Sequence, residues 1–456
     1  MRARDYALDA LRGLALLGMA LSGLVPWPPN ADGSGGLPGW MFHAQQFDTT
    51  VLGISWVDLV FPFFLFAMGA AIPITTEKIK SWTPATIGPL LKRTALLVLF
   101  SLAIGSLRPN ILAAKPTAET LIAALLFFGL FVLAYLRTPW ERVRRVEWIA
   151  WIIGCTGLLW GLATWKYDKG NPGFDFGRQD IIIMVLAQVS LTATLLWHLT
   201  RRQPLIRMLI VMAVMMLYLT KDNPGSSKDI WTFPGMPDSM LGKIYKGEFQ
   251  KYLMIALPGT MLGDFLLIKP EGKPRNSQYV ALCSLLAAGM VGVMVYLLYF
   301  RFVWAGIGAV VVVGTAGLYL LRNDIWHKAI WLWGFVFLMF GLFAEPHGGG
   351  IQKDSATLSY FFLTSGLAFW AYFALDSWYR LLNITKGGFL AGVGANPLLG
   401  YAAITNLVYP LVRLTGLYQK SGDWTLSQQT ALAVGQTLFI GLVCWVASRC
   451  RIYLRA

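Results

Sequence analysis

The sequence predicts an all-α polytopic integral membrane protein with about 12–14 transmembrane helices and no soluble domain. Three observations carry this expectation. The 456 residues are 56% hydrophobic and only 13% charged, with a mean hydropathy of +0.57, whereas a soluble globular chain carries about 25% charged residues. Aromatic residues are abundant, with 19 Trp, 17 Tyr and 27 Phe, as suits a chain with two lipid–water interfaces. Apolar runs recur along the whole chain, each near the length that a helix needs to cross roughly 30 Å of hydrocarbon. The same composition excludes intrinsic disorder, which requires low hydrophobicity and high charge.

In chain order the runs fall at 7–25, 56–76, 90–107, 118–137, 147–165, 180–199, 204–219, 252–268, 278–300, 303–321, 328–344, 357–379, 389–413 and 428–448. They are continuous and do not alternate in strand-length segments, so helices are expected and a barrel is not. The first run is interrupted by Asp9 and Arg12, and no small-residue cleavage site precedes Pro26. It therefore reads as a retained helix and not as a signal peptide. The run at 204–219 and the junctions near 301 and 322–330 are short, which sets the lower bound of 12. Polar segments are confined to loops, chiefly 26–55, 166–180, 220–251 and 345–356. One transmembrane domain over 1–456 is the expected organisation, with loops 26–55 and 345–356 as places where a scaffold of helices holds a site.

Net charge is +15, from 38 Lys+Arg against 23 Asp+Glu. No long basic run or basic–aromatic stripe accompanies it, so nucleic acid is not the expected partner. With 14 spans and a cytoplasmic N-terminus, 24 of the 38 basic residues fall on the cytoplasmic side, and both termini lie there. That bias is the usual one for membrane proteins. The loop from Pro26 to Ser55 is external in this arrangement and contains no Lys or Arg. The four Cys show no CxxC spacing and sit in or beside apolar runs. They read as packing residues, and neither a disulfide framework nor a metal site is expected.

Histidine is scarce, with only His43, His198, His327 and His347. His198 and His327 sit at helix ends on the cytoplasmic side and read as interfacial residues. His43, in WMFHAQQFD, and His347, in HGGGIQKD, fall on the external side. Asp58 opens the second helix at WVDLVFPFFLFAMG with little polar company. A carboxylate near lipid is costly and should face protein, water or a partner. Two readings of Asp58 are equally open: a carboxylate favoured by the helix N-terminal dipole, or the orienting partner of His43 acting as a general base. Asp9 and Arg12 share a helix face. Arg12 reads either as a local ion pair with a snorkelling side chain or as a phosphate contact near the cytoplasmic entrance, joined by Lys92 and Arg93. Asn396, in GANPLLGYAAITNLVYP, either lines a cavity at a broken helix or bonds between helices. The glycine run 348–350 allows close backbone approach to a ligand but has no nucleotide-binding spacing.

Taken together, LDALRGLALLGM, the loop His in FHAQ, WVDLVFPFFLFAMGAAIP, KYLMIALPGTMLGD, HGGGIQKDSATLSYFFLTSGLA and GANPLLGY resemble the membrane acyltransferase family of heparan-alpha-glucosaminide N-acetyltransferase. The likeness runs in patches from Leu8 to about Tyr409 and is greatest to the bacterial branch associated with aminosugar use. It implies an acyl-CoA-dependent N-acetyltransferase that moves an acetyl group from cytosolic acetyl-CoA to the amine of a glucosamine-type sugar, in a bacterial inner membrane, with no metal. The family's catalytic histidine maps onto His43 and its second-helix aspartate onto Asp58. On this reading Arg12, Lys92 and Arg93 meet the phosphates of acetyl-CoA, and Asn396, His347, Lys353 and Asp354 meet the acceptor. Two departures stand out: this chain has Ser22-Gly23 where lysosomal members carry an Asn, and the runs at 180–219 and within 278–321 are additional. A homodimer is compatible with the reading. The alternatives are an O-acetyltransferase of envelope glycans and a sugar transporter without catalysis, since 12–14 helices with broken segments suit a transporter equally.

Overall fold

Small residues decide which helices touch most closely. In the computed structural model, which describes residues 4–79, 81, 83–165, 174–201, 203–222, 225–235, 239–274, 276–353, 355–384 and 387–456, the Val57–Thr76 and Leu253–Leu267 helices meet through glycines. A Cβ at Gly69 would lie 2.1 Å from the Ala256 carbonyl oxygen, and one at Gly259 would lie 2.2 Å from that of Phe66. Gly259 and Gly263 form a GxxxG pair on the second of these helices, the spacing that lets helix backbones approach in a lipid environment where hydrophobic burial gives little drive.

By its contacts the chain divides into two units, one of residues 1–78, 193–216 and 251–391, the other of 79–192, 217–250 and 392–456. The centre of the first unit is the Leu358–Leu381 helix. It is buried on all sides, with 94% of its membrane-length window inside the protein, as expected for a mostly apolar helix with neighbours all round. Its aromatic side chains interlock with the Ile325–Ala344 helix. Trp370 stacks on Trp331 with ring centroids 4.7 Å apart, and its Nε1 donates to the Trp331 carbonyl at 3.1 Å. The Tyr6–Leu24 and Val57–Thr76 helices also contact it.

In the second unit the Ala118–Tyr135 and Glu147–Thr164 helices pack through Gly154, where a Cβ would meet the Ala134 nitrogen at 2.2 Å. Tyr135 donates to the Leu96 carbonyl at 2.6 Å and packs edge-on against Phe100. Leu136–Arg137 then pairs antiparallel with Tyr453–Leu454.

Among the described residues, 11 helices are long and apolar enough to cross a membrane, which makes this a polytopic all-α membrane protein; the 14 apolar runs include three that fall outside this count. Pro204–Leu219 has 16 residues and Leu253–Leu267 has 15, short of the roughly 20 that a span needs. The run at 389–413 is broken into Gly388–Gly394, Pro397–Ala403, a π-helical turn at Ile404–Val408 and Tyr409–Leu414. Pro397 and Pro410 lack the N–H that a continuous helix uses.

Gly69→Ala is expected to destabilise the protein by about 1–3 kcal/mol through overpacking. Thermal unfolding in detergent checks this: the midpoint falls. Gly289→Ala, where an added methyl meets nothing within 4 Å, does not lower it.

Candidate functional site

A buried carboxylate is costly unless its oxygens are fully hydrogen-bonded, and Asp58 meets that condition. It lies in the first turn of the Val57–Thr76 helix and is fully buried. Its Oδ2 accepts from the Ser55 N–H at 2.9 Å and the Ala44 N–H at 3.1 Å. Its Oδ1 lies 2.7 Å from His43 Nδ1. An ionised carboxylate only accepts, so the proton of that contact sits on Nδ1, and in the neutral ring His43 Nε2 carries the lone pair. The two readings of Asp58 are thus compatible: one oxygen serves the backbone at the helix start and the other orients the imidazole.

The loop that presents His43 is tied down at both ends. Ser55 Oγ donates to the Phe42 carbonyl at 2.5 Å. Gln45 Nε2 donates to the carbonyls of Val51 and Gly53, both at 2.8 Å. Trp27, Phe42 and Phe47 pack edge-to-face around one another, with centroids 5.1–5.7 Å apart. The carboxylate itself is sealed, while the His43 side chain keeps 31% of its surface accessible. A ring held on one nitrogen and reachable on its remaining surface can exchange a proton with a bound molecule.

The glycine-rich loop reaches the same place. Ser359 Oγ donates to the Gly350 carbonyl at 2.6 Å, and a Cβ on Gly350, whose φ is +93°, would meet Leu52 Cβ at 2.7 Å. This close approach sets the loop against the end of the His43 loop. Lys353 Nζ then lies 3.1 Å from His43 Nδ1 and 3.0 Å from Nε2. The lone-pair directions of the two ring nitrogens diverge, so a point nearly equidistant from both lies on neither axis. Lys353 is therefore a cation beside the ring, and the in-plane direction of Nε2 is left for another group.

Other residues singled out by sequence are placed elsewhere. His347 is exposed in the Glu345–His347 turn, and no hydrogen bond joins it to His43 among the described residues. Asp354 lies outside the described residues. Arg12 donates to Asp9 at 3.1 Å and to the Ala67 carbonyl at 3.2 Å, which makes it an internal tie between the first two helices. In the second unit, Lys92 lies over the Trp151 ring at 4.9 Å, and Arg93 is half-buried on the same helix. Asn396 is buried, and both its amide hydrogens are used, on Ser448 Oγ at 2.8 Å and the Ile452 carbonyl at 2.9 Å. Its Oδ1 accepts from Leu454 N at 3.1 Å.

Sequence reasoning missed Tyr360, although a signal for it exists. Pro62 stands four residues after Asp58 in the same helix, so it supplies no N–H to the Asp58 carbonyl. Tyr360 Oη fills the gap at 2.9 Å. This bond fastens the buried Leu358–Leu381 helix to the residue that orients His43.

Fold and site together define a polytopic membrane protein with a carboxylate-oriented histidine at one end of a buried helix. Residues 4–266 match the family described as a domain of unknown function, DUF5009, and the chain belongs to that family. The match includes His43 and Asp58 and stops short of Lys353 and Tyr360. No curated protein matches the chain.

Tyr360→Phe leaves the Asp58 carbonyl without a donor, and a loss of about 1–3 kcal/mol is expected. Thermal unfolding of the single variant and of Tyr360→Phe with Pro62→Ala checks the cause. The second change restores a helical N–H, so it should recover part of the loss.

Proposed function

We propose that the protein is a membrane-embedded acetyltransferase that moves an acetyl group from acetyl-CoA to the amine of a glucosamine-type sugar. The observation that carries this reading is the His43–Asp58 pair at 2.7 Å, with Nδ1 engaged and Nε2 left as the base. The sequence resemblance supplies the donor and acceptor classes. The same reading sets both termini in the cytoplasm of a bacterial inner membrane, with His43 toward the opposite face.

In this mechanism His43 Nε2 takes a proton from the acceptor's amine as the amine nitrogen bonds to the acetyl carbon. The imidazolium returns that proton to the sulfur when the carbon–sulfur bond breaks, so protons and electrons balance. Asp58 fixes the tautomer and faces the positive charge that appears on the ring in between. Lys353, 3.0 Å from Nε2, is a cation near the place where the carbonyl oxygen gains negative charge, the kind of preorganised charge that lowers such a barrier. The donor's phosphates require cations. Arg12 fits that role poorly, because Asp9 and the Ala67 carbonyl already hold its guanidinium.

The test incubates the purified full chain with radiolabelled acetyl-CoA and either glucosamine or N-acetylglucosamine, then identifies the product. Label on the nitrogen of glucosamine is expected. Label only on the already N-acetylated sugar points instead to O-acetylation, and sugar moved unmodified into proteoliposomes without acetyl-CoA points to transport. His43→Ala is expected to lower transfer by about 10²–10⁴-fold, the usual contribution of a general base, and Asp58→Asn to lower it through the wrong tautomer. A folded His43→Ala protein with full activity overturns the reading.

A further inference from the structure

The far end of the buried helix carries a second polar centre that the proposed chemistry does not use. From Tyr360 to Asp376 the helix advances about 24 Å at roughly 1.5 Å per residue. There a cavity of about 450 Å³ is lined by Arg4, Lys269, Lys273, Asp376, Tyr379 and Arg380, among others, a volume within the range of small-molecule sites. Four cations and one carboxylate line it, and Asp9 holds Arg4. Lys269 bridges Asp5 at 2.6 Å and Asp376 Oδ1 at 2.5 Å. Burial works against its ammonium, yet the carboxylates of Asp376 and Asp5 outweigh that effect and raise its pKa.

Part of this centre is unfinished. Asp376 Oδ2, Arg380 Nη1 and His327 Nε2 are buried, and none has a hydrogen-bond partner among the described residues. Arg380 Nη1 is 3.8 Å and His327 Nε2 3.9 Å from Asp376 Oδ2, too far for direct bonds. Asp324 holds His327 Nδ1 at 2.7 Å, which fixes the ring with Nε2 toward Asp376. Native interiors leave few such atoms unpaired. A hydroxyl satisfies the arrangement, because it donates to Asp376 and accepts from Arg380. Lys273 is exposed at the rim, where a doubly charged anion would meet it together with Arg380.

We propose that this cavity binds a hydroxylated phosphate monoester, with the phosphate on Lys273 and Arg380 and a hydroxyl on Asp376 Oδ2. Nucleotides and sugar phosphates share this chemistry. The site stands on its own geometry and does not rest on acetyl transfer. The test is calorimetric titration of the purified full chain with adenosine 3′,5′-bisphosphate, glucosamine 6-phosphate and inorganic phosphate. One of the two organic esters should bind at least about tenfold tighter than inorganic phosphate, and which one does so identifies the source. Lys273→Glu, at an exposed position, should weaken that binding by a similar factor, and Asp376→Asn should remove the margin over inorganic phosphate. The site is overturned if neither ester exceeds inorganic phosphate, or if Lys273→Glu leaves the affinity unchanged. The assay needs no turnover. A chain that binds without transferring acetyl refutes only the proposed function, and one that transfers without binding refutes only this site.

Discussion

The first unit depends on one buried carboxylate being satisfied. Asp58 enters the Val57–Thr76 helix where solvent is absent, so its charge must be met by donors from the protein. The Ser55 and Ala44 amides and the His43 ring meet it. Each of these comes from the loop, so the carboxylate organises the loop around itself. Its backbone carbonyl, bared by Pro62, is met by Tyr360 from the central helix. One residue therefore ties together loop, second helix and core, and the imidazole's orientation follows from the same bonds.

The central helix carries that constraint through the unit. Its apolar length packs Trp370 and Phe369 against Trp331 and Phe337, and its charged residues, Asp376 and Arg380, lie toward its C-terminal end. At one end Tyr360 serves Asp58. At the other, Asp376 meets Lys269, which also holds Asp5 at the start of the first helix. The two ends differ in completeness. Around Asp58 the carboxylate oxygens are all accounted for and the open position belongs to His43. Around Asp376 one carboxylate oxygen has no hydrogen bond among the described residues. A histidine held through Nδ1 by an aspartate at 2.7 Å occurs at both ends, but His43 is partly accessible while His327 is buried.

Much of this was legible in the sequence, for physical reasons that differ by element. Among the described residues, eleven apolar runs became helices of membrane-spanning length because uniform hydropathy over that length admits few other structures in lipid. The run at 389–413 did not, since Pro397 and Pro410 break it and hydropathy averages over prolines. The pairing of His43 with Asp58 was readable because each is a rare polar residue in apolar surroundings and has few other partners. Arg12 was less readable: its spacing to Asp9 was plain, but the Ala67 carbonyl it also meets lies 55 positions away. Asn396 shows the same limit, since both its alternatives are buried and only the positions of Ser448 and Ile452 decide between them. Pro62 signals that the Asp58 carbonyl needs a donor but not that Tyr360 supplies it from a distant helix, and His327 likewise reaches Asp376 from another helix.

The central claim is that Asp58 keeps the His43 proton on Nδ1 and leaves Nε2 bare. The most direct measurement is solid-state NMR of the full-length protein carrying ¹⁵N-histidine, feasible with four histidines in the chain and assigned by loss of a signal in His43→Gln. The account predicts an unprotonated Nε2 resonance paired with a protonated Nδ1 for His43, and a changed pattern in Asp58→Asn. A proton on Nε2 in the unmodified protein, or a pattern indifferent to Asp58, would contradict it.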